Sequence, residues 1–137
     1  MTQAIYLTNS DRHRLLDLTP GVKGVSPMDD SNLDELRKEI ERARIVAEEK
    51  IEGNIITMNS TFRVRLLDSG EVRLYTLVFP EDADFATGKI SVLSPLGTAL
   101  IGYQEGDVVE WVAPAGTKKL TVEKVLYQPE AAGHYYL

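Results

Sequence analysis

The chain of 137 residues contains no cysteine and only two histidines, His13 and His134, which lie at opposite ends of the sequence. The absence of cysteine excludes disulfides, thiolate metal sites and a cysteine nucleophile. Neither histidine has a second ligand at a metal-binding spacing. No serine lies in a nucleophile-elbow pattern, and the phosphate-binding loop pattern is missing. We therefore expect no metal, no cofactor and no small-molecule substrate.

Long hydrophobic runs and a strongly basic segment are also missing. No apolar run is long enough to span a bilayer, and residues 1–6 lack the basic and apolar regions of a signal peptide. The net charge of −6 divides evenly, with −3 in residues 1–52 and −3 in residues 53–137. Neither half offers the basic face that holds phosphates. We expect a cytoplasmic protein that does not bind membranes and meets DNA or RNA only through a protein partner.

Two helical patterns fill the start of the chain. Thr8 is placed to cap a helix over about residues 10–18. Ser31 is placed to cap a second helix over about residues 31–48. The apolar side chains of this second helix share one face: Leu33, Leu36, Ile40, Ala43 and Ala47. These patterns predict a short antiparallel helical hairpin, of coiled-coil type, over residues 1–52.

From residue 55 the hydrophobic period changes to two. Phe62, Val64 and Leu66 alternate with arginines up to a hairpin signal at residues 68–70. Further β-type runs follow over residues 72–78, 89–93, 108–112 and 119–127. The sequence therefore predicts an α+β fold, with five or six antiparallel strands in a domain over residues 53–137.

The most informative stretch is residues 94–102, which predicts a short helix inside this sheet. Ser94 is a good N-cap, and Pro95 fits the first helical position because its missing N–H costs nothing there. Gly102 is suited to the left-handed residue that ends the helix. A helix of under two turns does not persist alone in water, so the sheet must surround it.

These residues also carry a family resemblance. The pattern S-P-L-G-x-A-L-I-G-x-x-x-G-D-x-V resembles the C-terminal domain of the Gre-type bacterial transcript cleavage factors. The resemblance implies the fold of the FK506-binding prolyl isomerases, a curved antiparallel sheet around one short helix. Residues 57–60 (Thr-Met-Asn-Ser) and the segment from Tyr127 onward resemble a narrower group, the Rnk family of regulators of nucleoside diphosphate kinase.

The resemblance implies RNA polymerase as the partner. In Gre factors the globular domain docks on the rim of the polymerase secondary channel, and the Ser-Pro turn lies in the contact region. Carried over by residue, this nominates Ser94, Pro95, Leu96 and Gly97 as polymerase-binding residues. For Pro95 and Gly97, shaping the turn is an equally good interpretation. Residues 127–137 either cover a sheet edge or form a surface particular to the Rnk group.

Asp29, Asp30 and Asp34 fall at the tip of the predicted hairpin. In cleavage-active Gre factors, tip carboxylates help to hold a catalytic Mg²⁺ in the polymerase. The alternative is that these residues favour the N-terminus of the second helix. The predicted helices span only about 14 and 27 Å at 1.5 Å per residue, and Gre hairpins are markedly longer. We therefore expect a non-enzymatic regulator that occupies the channel entrance and competes with Gre factors without cleaving RNA.

Three alternatives stay open. One is stimulation of cleavage through Asp29 and Asp30. Another is indirect control of nucleoside diphosphate kinase levels, which polymerase binding would produce without contact with the kinase. The last is a prolyl isomerase, whose pocket would need aromatic side chains, although core packing is the favoured role for Phe62 and Trp111. The aromatic candidates are Phe62, Tyr75, Phe79, Phe85, Tyr103 and Trp111.

Overall fold

The computed structural model describes residues 4–18 and 30–134, with the backbone alone for residues 30–32. The strands and helices follow one another as β1 (Tyr6–Thr8), α1 (Asn9–Leu16), α2 (Asp30–Arg42), β2 (Arg44–Val46), β3 (Thr61–Leu66), β4 (Val72–Val78), β5 (Lys89–Ser91), α3 (Pro95–Leu100), β6 (Val108–Ala113) and β7 (Gly116–Tyr127). Two 3-10 turns, Pro80–Asp82 and Phe85–Thr87, lie between β4 and β5. The α+β class is therefore confirmed.

Five strands form one sheet in the order β5-β4-β3-β7-β6. The pairs β3–β4, β3–β7 and β6–β7 are antiparallel, as expected. The expectation of a wholly antiparallel sheet was wrong for β4 and β5, which pair in parallel. The chain leaves β4 through the two 3-10 turns and returns to its starting side, which a short hairpin turn does not do. Register shifts between β3 and β7 are β-bulge irregularities, which help the sheet to curl.

The interior lies on one face of the sheet and surrounds α3. The alternation predicted for β3 is confirmed, because Phe62 and Val64 are fully buried while Arg65 is exposed. The helical segments contribute to the same interior through Leu15, Leu36 and other apolar side chains. The hydrophobic core is therefore continuous across residues 52 and 53.

The two helices differ in how well the sequence located them. The predicted cap of α1 is confirmed, since the Thr8 hydroxyl accepts a hydrogen bond from the backbone N–H of Asp11 at 3.0 Å. The second helix was predicted too long, because α2 ends at Arg42 and the chain then forms β2. The backbone N–H of Arg44 donates to the Ile5 carbonyl at 3.0 Å, and β2 pairs in parallel with β1. This long-range pairing overrides the helical pattern of residues 43–48.

In the described parts of the chain, no helix combines the length and the apolar composition needed to cross a membrane.

Candidate functional site

The turn into α3 is built by hydrogen bonds of Ser94. Its hydroxyl oxygen accepts from the backbone N–H of Gly97 at 3.0 Å and donates to the Ser91 carbonyl at 2.7 Å. Pro95 takes the first helical position, and Gly102 has a φ of 83° just beyond the helix. The predicted cap, first residue and terminator of α3 are all confirmed.

The four residues nominated in this turn differ in accessibility. Pro95 is exposed, Ser94 and Leu96 are half-buried, and Gly97 is buried. A Cβ atom on Gly97 would lie 2.0 Å from the Ser91 carbonyl oxygen, so only hydrogen fits there. Gly97 therefore shapes the turn, and Pro95 with Leu96 presents side-chain surface beside it.

A groove of about 590 Å³ lies on one side of this turn. Its lining includes the aromatic side chains of Tyr75, Phe85 and Trp111. The Tyr75 and Phe85 rings lie 6.4 Å apart between centroids, and Phe85 is 67% exposed. Four cationic side chains and one carboxylate also line it: Arg73, Lys89, Lys118, Lys119 and Asp68. We call this the basic groove.

A second groove of about 470 Å³ lies between α2, α3 and β6. Its charged lining consists of Glu35, Glu39 and Glu110, so we call it the acidic groove. Tyr103 also lines it and accepts a hydrogen bond at 3.1 Å from Arg42, which binds Glu39 at 2.8 Å. Burial raises the pKa of the Tyr103 hydroxyl, which therefore stays protonated at neutral pH.

One set of residues borders both grooves. Pro95, Trp111 and Val112 line the basic groove and the acidic groove alike, and we call them the ridge. Val112 is 71% exposed. The core position favoured for Phe62 is observed, whereas Trp111 contacts the core and also reaches the surface at the ridge. The ridge places the exposed part of the α3 turn between two surfaces of opposite charge.

The predicted hairpin tip is described only in part. Asp29 lies outside the described residues, and so does the side chain of Asp30, whose backbone begins α2. Asp34 is exposed, with its carboxylate 3.9 Å from the guanidinium of Arg37. Within residues 4–18 and 30–134, no three side chains of metal-ligating type are grouped to hold an ion.

A buried polar seam joins α1 to the turn at residues 57–60. Asp11 is fully buried, and its carboxylate accepts from the Met58 N–H at 2.9 Å and from the Arg14 guanidinium at 2.6 Å. Burial raises the pKa of Asp11 to about 6, and the nearby carboxylate of Glu130 adds to this, against the opposing effects of the Met58 N–H and Arg14. The Thr57 hydroxyl donates to Glu130 at 2.7 Å.

Gln128 extends the same seam into the end of the chain. This side chain is 3% exposed, and its amide nitrogen donates to the carbonyls of Glu52 at 2.7 Å and Ile55 at 2.8 Å. Its amide oxygen accepts from the Ala131 N–H at 3.1 Å. The two segments that carry the narrower resemblance, residues 57–60 and 127–133, thus contact each other. The sequence held both motifs, but no local pattern indicated this contact or the burial of Asp11.

Comparisons with known proteins first define the class of the sheet domain. The family described as the C-terminal domain of the transcription elongation factors GreA/GreB matches residues 38–127. A solved GreA/GreB elongation factor from Nitrosomonas europaea is 36% identical, with a TM-score of 0.68 over 92% of this chain and 100% of that chain. GreA of Bartonella henselae is 37% identical over 98 residues, which are 72% of this chain and 62% of that protein. Residues 38–127 form a Gre-type C-terminal domain.

The start of the chain narrows the assignment. The family described as the Rnk N-terminus matches residues 3–46. The "Regulator of nucleoside diphosphate kinase" of Escherichia coli K12 is 41% identical over 105 residues, which are 76% of this chain and 77% of that protein. The chain belongs to the Rnk family.

Proposed function

We propose that this protein is a cytoplasmic transcription regulator that binds RNA polymerase through its Gre-type domain. The observation that supports it is the exposed ridge beside the capped turn of α3, in a domain shared with the GreA/GreB elongation factors. Ser94 and Gly97 fix the turn, and Pro95 and Leu96 offer the contact surface. DNA and RNA are met only through the polymerase.

The mechanism that we propose is occupancy of the secondary-channel entrance. The helices α1 and α2 contain 8 and 13 residues. At 1.5 Å per residue they span about 12 and 20 Å, which is shorter than the sequence predicted. Helices of this length support a regulator that excludes longer channel factors without bringing carboxylates to the catalytic metal. Its effect is then set by concentration and by the Kd for the polymerase.

The test is a binding titration against bacterial RNA polymerase core, with full-length GreA as competitor. We expect mutually exclusive binding. The double variant Pro95→Ala with Leu96→Ala removes apolar contact at the centre of the surface and should raise the Kd about tenfold. Leu74→Ala is the control, because Leu74 is 57% exposed on the other face of β4 and lines neither groove. Absence of binding, or equal weakening by the control, would contradict the proposal.

A stalled, backtracked complex tests the cleavage alternative in the same assay. Occupancy should survive Asp29→Asn combined with Asp30→Asn, and no RNA should be cleaved in either case. Cleavage that requires Mg²⁺ and disappears in the double variant would show that the protein acts as a cleavage factor.

The aromatic lining of the basic groove favours prolyl isomerisation as a second candidate. Tyr75, Phe85 and Trp111 surround a space that would hold an X–Pro segment away from water. The expected result for our first proposal is no catalysis of cis–trans exchange in a proline tetrapeptide. Catalysis that is lost in Tyr75→Leu would support the isomerase and an FK506-binding-protein-like use of this fold.

A further inference from the structure

The ridge separates two surfaces of opposite sign. On one side, four cations and one carboxylate line the basic groove. On the other side, three carboxylates are the only charged residues that line the acidic groove among the described residues. Two of these, Glu35 and Glu39, come from α2, within the residues matched by the Rnk N-terminal family. The α2 helix therefore extends the surface formed by the Gre-type domain.

The carboxylates of the acidic groove are not equally available. Glu39 is only 28% exposed, and Arg42 neutralises it at 2.8 Å. Glu35 is 62% exposed and 3.4 Å from Lys38, while Glu110 is 59% exposed and 3.9 Å from Lys119. Exposed ion pairs of this kind contribute about 0–1 kcal/mol, so an incoming cation displaces the lysines at little cost. Glu35 and Glu110 are the two carboxylates that can receive it.

The aromatic residues of the acidic groove favour one type of cation. Trp111 and Tyr103 line it together with the carboxylates. A guanidinium stacks on aromatic faces and binds carboxylates with two parallel hydrogen bonds, whereas a lysine ammonium is a strongly hydrated point charge. The combination of carboxylates with a tryptophan therefore fits arginine better than lysine.

We propose that the acidic groove receives an arginine side chain of the protein partner, held by Glu35 and Glu110 beside Trp111. That the partner is RNA polymerase rests on the proposed function, whereas the affinity of the groove for arginine does not. With the basic groove across the ridge, this contact selects one orientation, because a reversed partner segment would place like charges together. The α2 helix thus acts as part of the docking surface.

Trp111 is the only tryptophan of the chain, so its fluorescence reports directly on the ridge. A hexa-arginine peptide titrated into the full-length protein should change the Trp111 emission saturably, and hexa-lysine should bind more weakly. In Glu35→Gln combined with Glu110→Gln, the Kd for hexa-arginine should rise about tenfold. The control is Glu41→Gln combined with Glu49→Gln, which alters the net charge equally at exposed residues outside both grooves. Equal weakening in both double variants, or no saturation, would refute the arginine site.

The same variants measured against polymerase core separate the two proposals. Weaker polymerase binding in the Glu35/Glu110 variant alone supports both. Unchanged polymerase binding in that variant, with weakened binding in the Pro95/Leu96 variant, overturns the arginine contact and leaves the proposed function standing. Site-specific peptide binding with no polymerase binding in any variant overturns the proposed function and leaves the arginine site.

Discussion

The buried carboxylate of Asp11 should make the stability of this protein fall as the pH rises from acid to neutral. Two effects compete at this side chain. The guanidinium of Arg14 and the N–H of Met58 favour the ionised form, while burial and the neighbouring Glu130 favour the protonated form. Burial is the largest of these effects, and the pKa rises from 3.8 to about 6.

The sign and the size of the effect follow from this shift. Between pH 3.8 and about 6, Asp11 is protonated in the folded chain and ionised in the unfolded chain, so unfolding releases a proton. The stabilising contribution is complete below the unfolded pKa and is lost as the pH rises through the folded pKa. At about 1.4 kcal/mol for each pKa unit, the loss is about 3 kcal/mol.

The assay is urea unfolding of the wild type and of Asp11→Asn at a series of pH values from 4 to 7. The asparagine keeps an oxygen for the Met58 N–H but does not titrate, so the difference in unfolding free energy isolates the carboxylate. We expect the wild type to lose about 2–3 kcal/mol relative to the variant over this range. Asp17→Asn, on an exposed side chain just after α1, is the matched control. A difference that stays constant or grows with pH would mean that the Arg14 ion pair dominates, and would refute the reasoning.

Two further predictions concern packing and the seam. Gly97→Ala should lower the free energy of unfolding by about 3 kcal/mol or more, because its Cβ would meet the Ser91 carbonyl at 2.0 Å. In Gly53→Ala the new Cβ finds ordinary contact at 3.5 Å, so its urea midpoint should stay near that of the wild type. Gln128→Ala should cost about 2–3 kcal/mol in the same assay, since it unpairs two carbonyls within residues 52–55. Faster hydrogen exchange confined to residues 52–60 and 127–133 would locate that loss, and unchanged exchange there would contradict it.

Short-range patterns explain which parts of the fold the sequence predicted. The cap at Ser94, the proline after it and the terminator at Gly102 act within nine residues, and all three are observed. The hairpin at residues 68–70 is equally local, with Gly70 at a φ of 74°. Such features depend on the backbone preferences of a few neighbouring residues, so they can be found without knowledge of the fold.

Long-range contacts explain what the sequence did not predict. Residues 43–48 have a helical pattern, but β2 pairs with a strand 38 residues earlier in the chain. The crossover that makes β4 and β5 parallel has no hairpin-like sequence signal of its own. Asp11 looks like a capping-box partner of Thr8, yet its carboxylate binds the Met58 N–H, 47 residues away. The grooves likewise bring together α2 and β6, which only the folded chain makes neighbours.

The parallel pair β1–β2 holds both ends of the helical segment at one place. The N–H of Tyr6 donates to the Gly102 carbonyl at 3.1 Å, and β2 is joined to β1 directly after α2 ends. The base of the helices is thereby anchored beside α3, whatever number of residues is inserted between Leu18 and Leu33. The reach of the helical arm and the affinity of the docking surface are therefore separately adjustable: a longer arm grafted at this point would leave the grip on the partner unchanged. Arm length is thus a variable that evolution, or a protein engineer, can alter without redesigning the rest of the molecule.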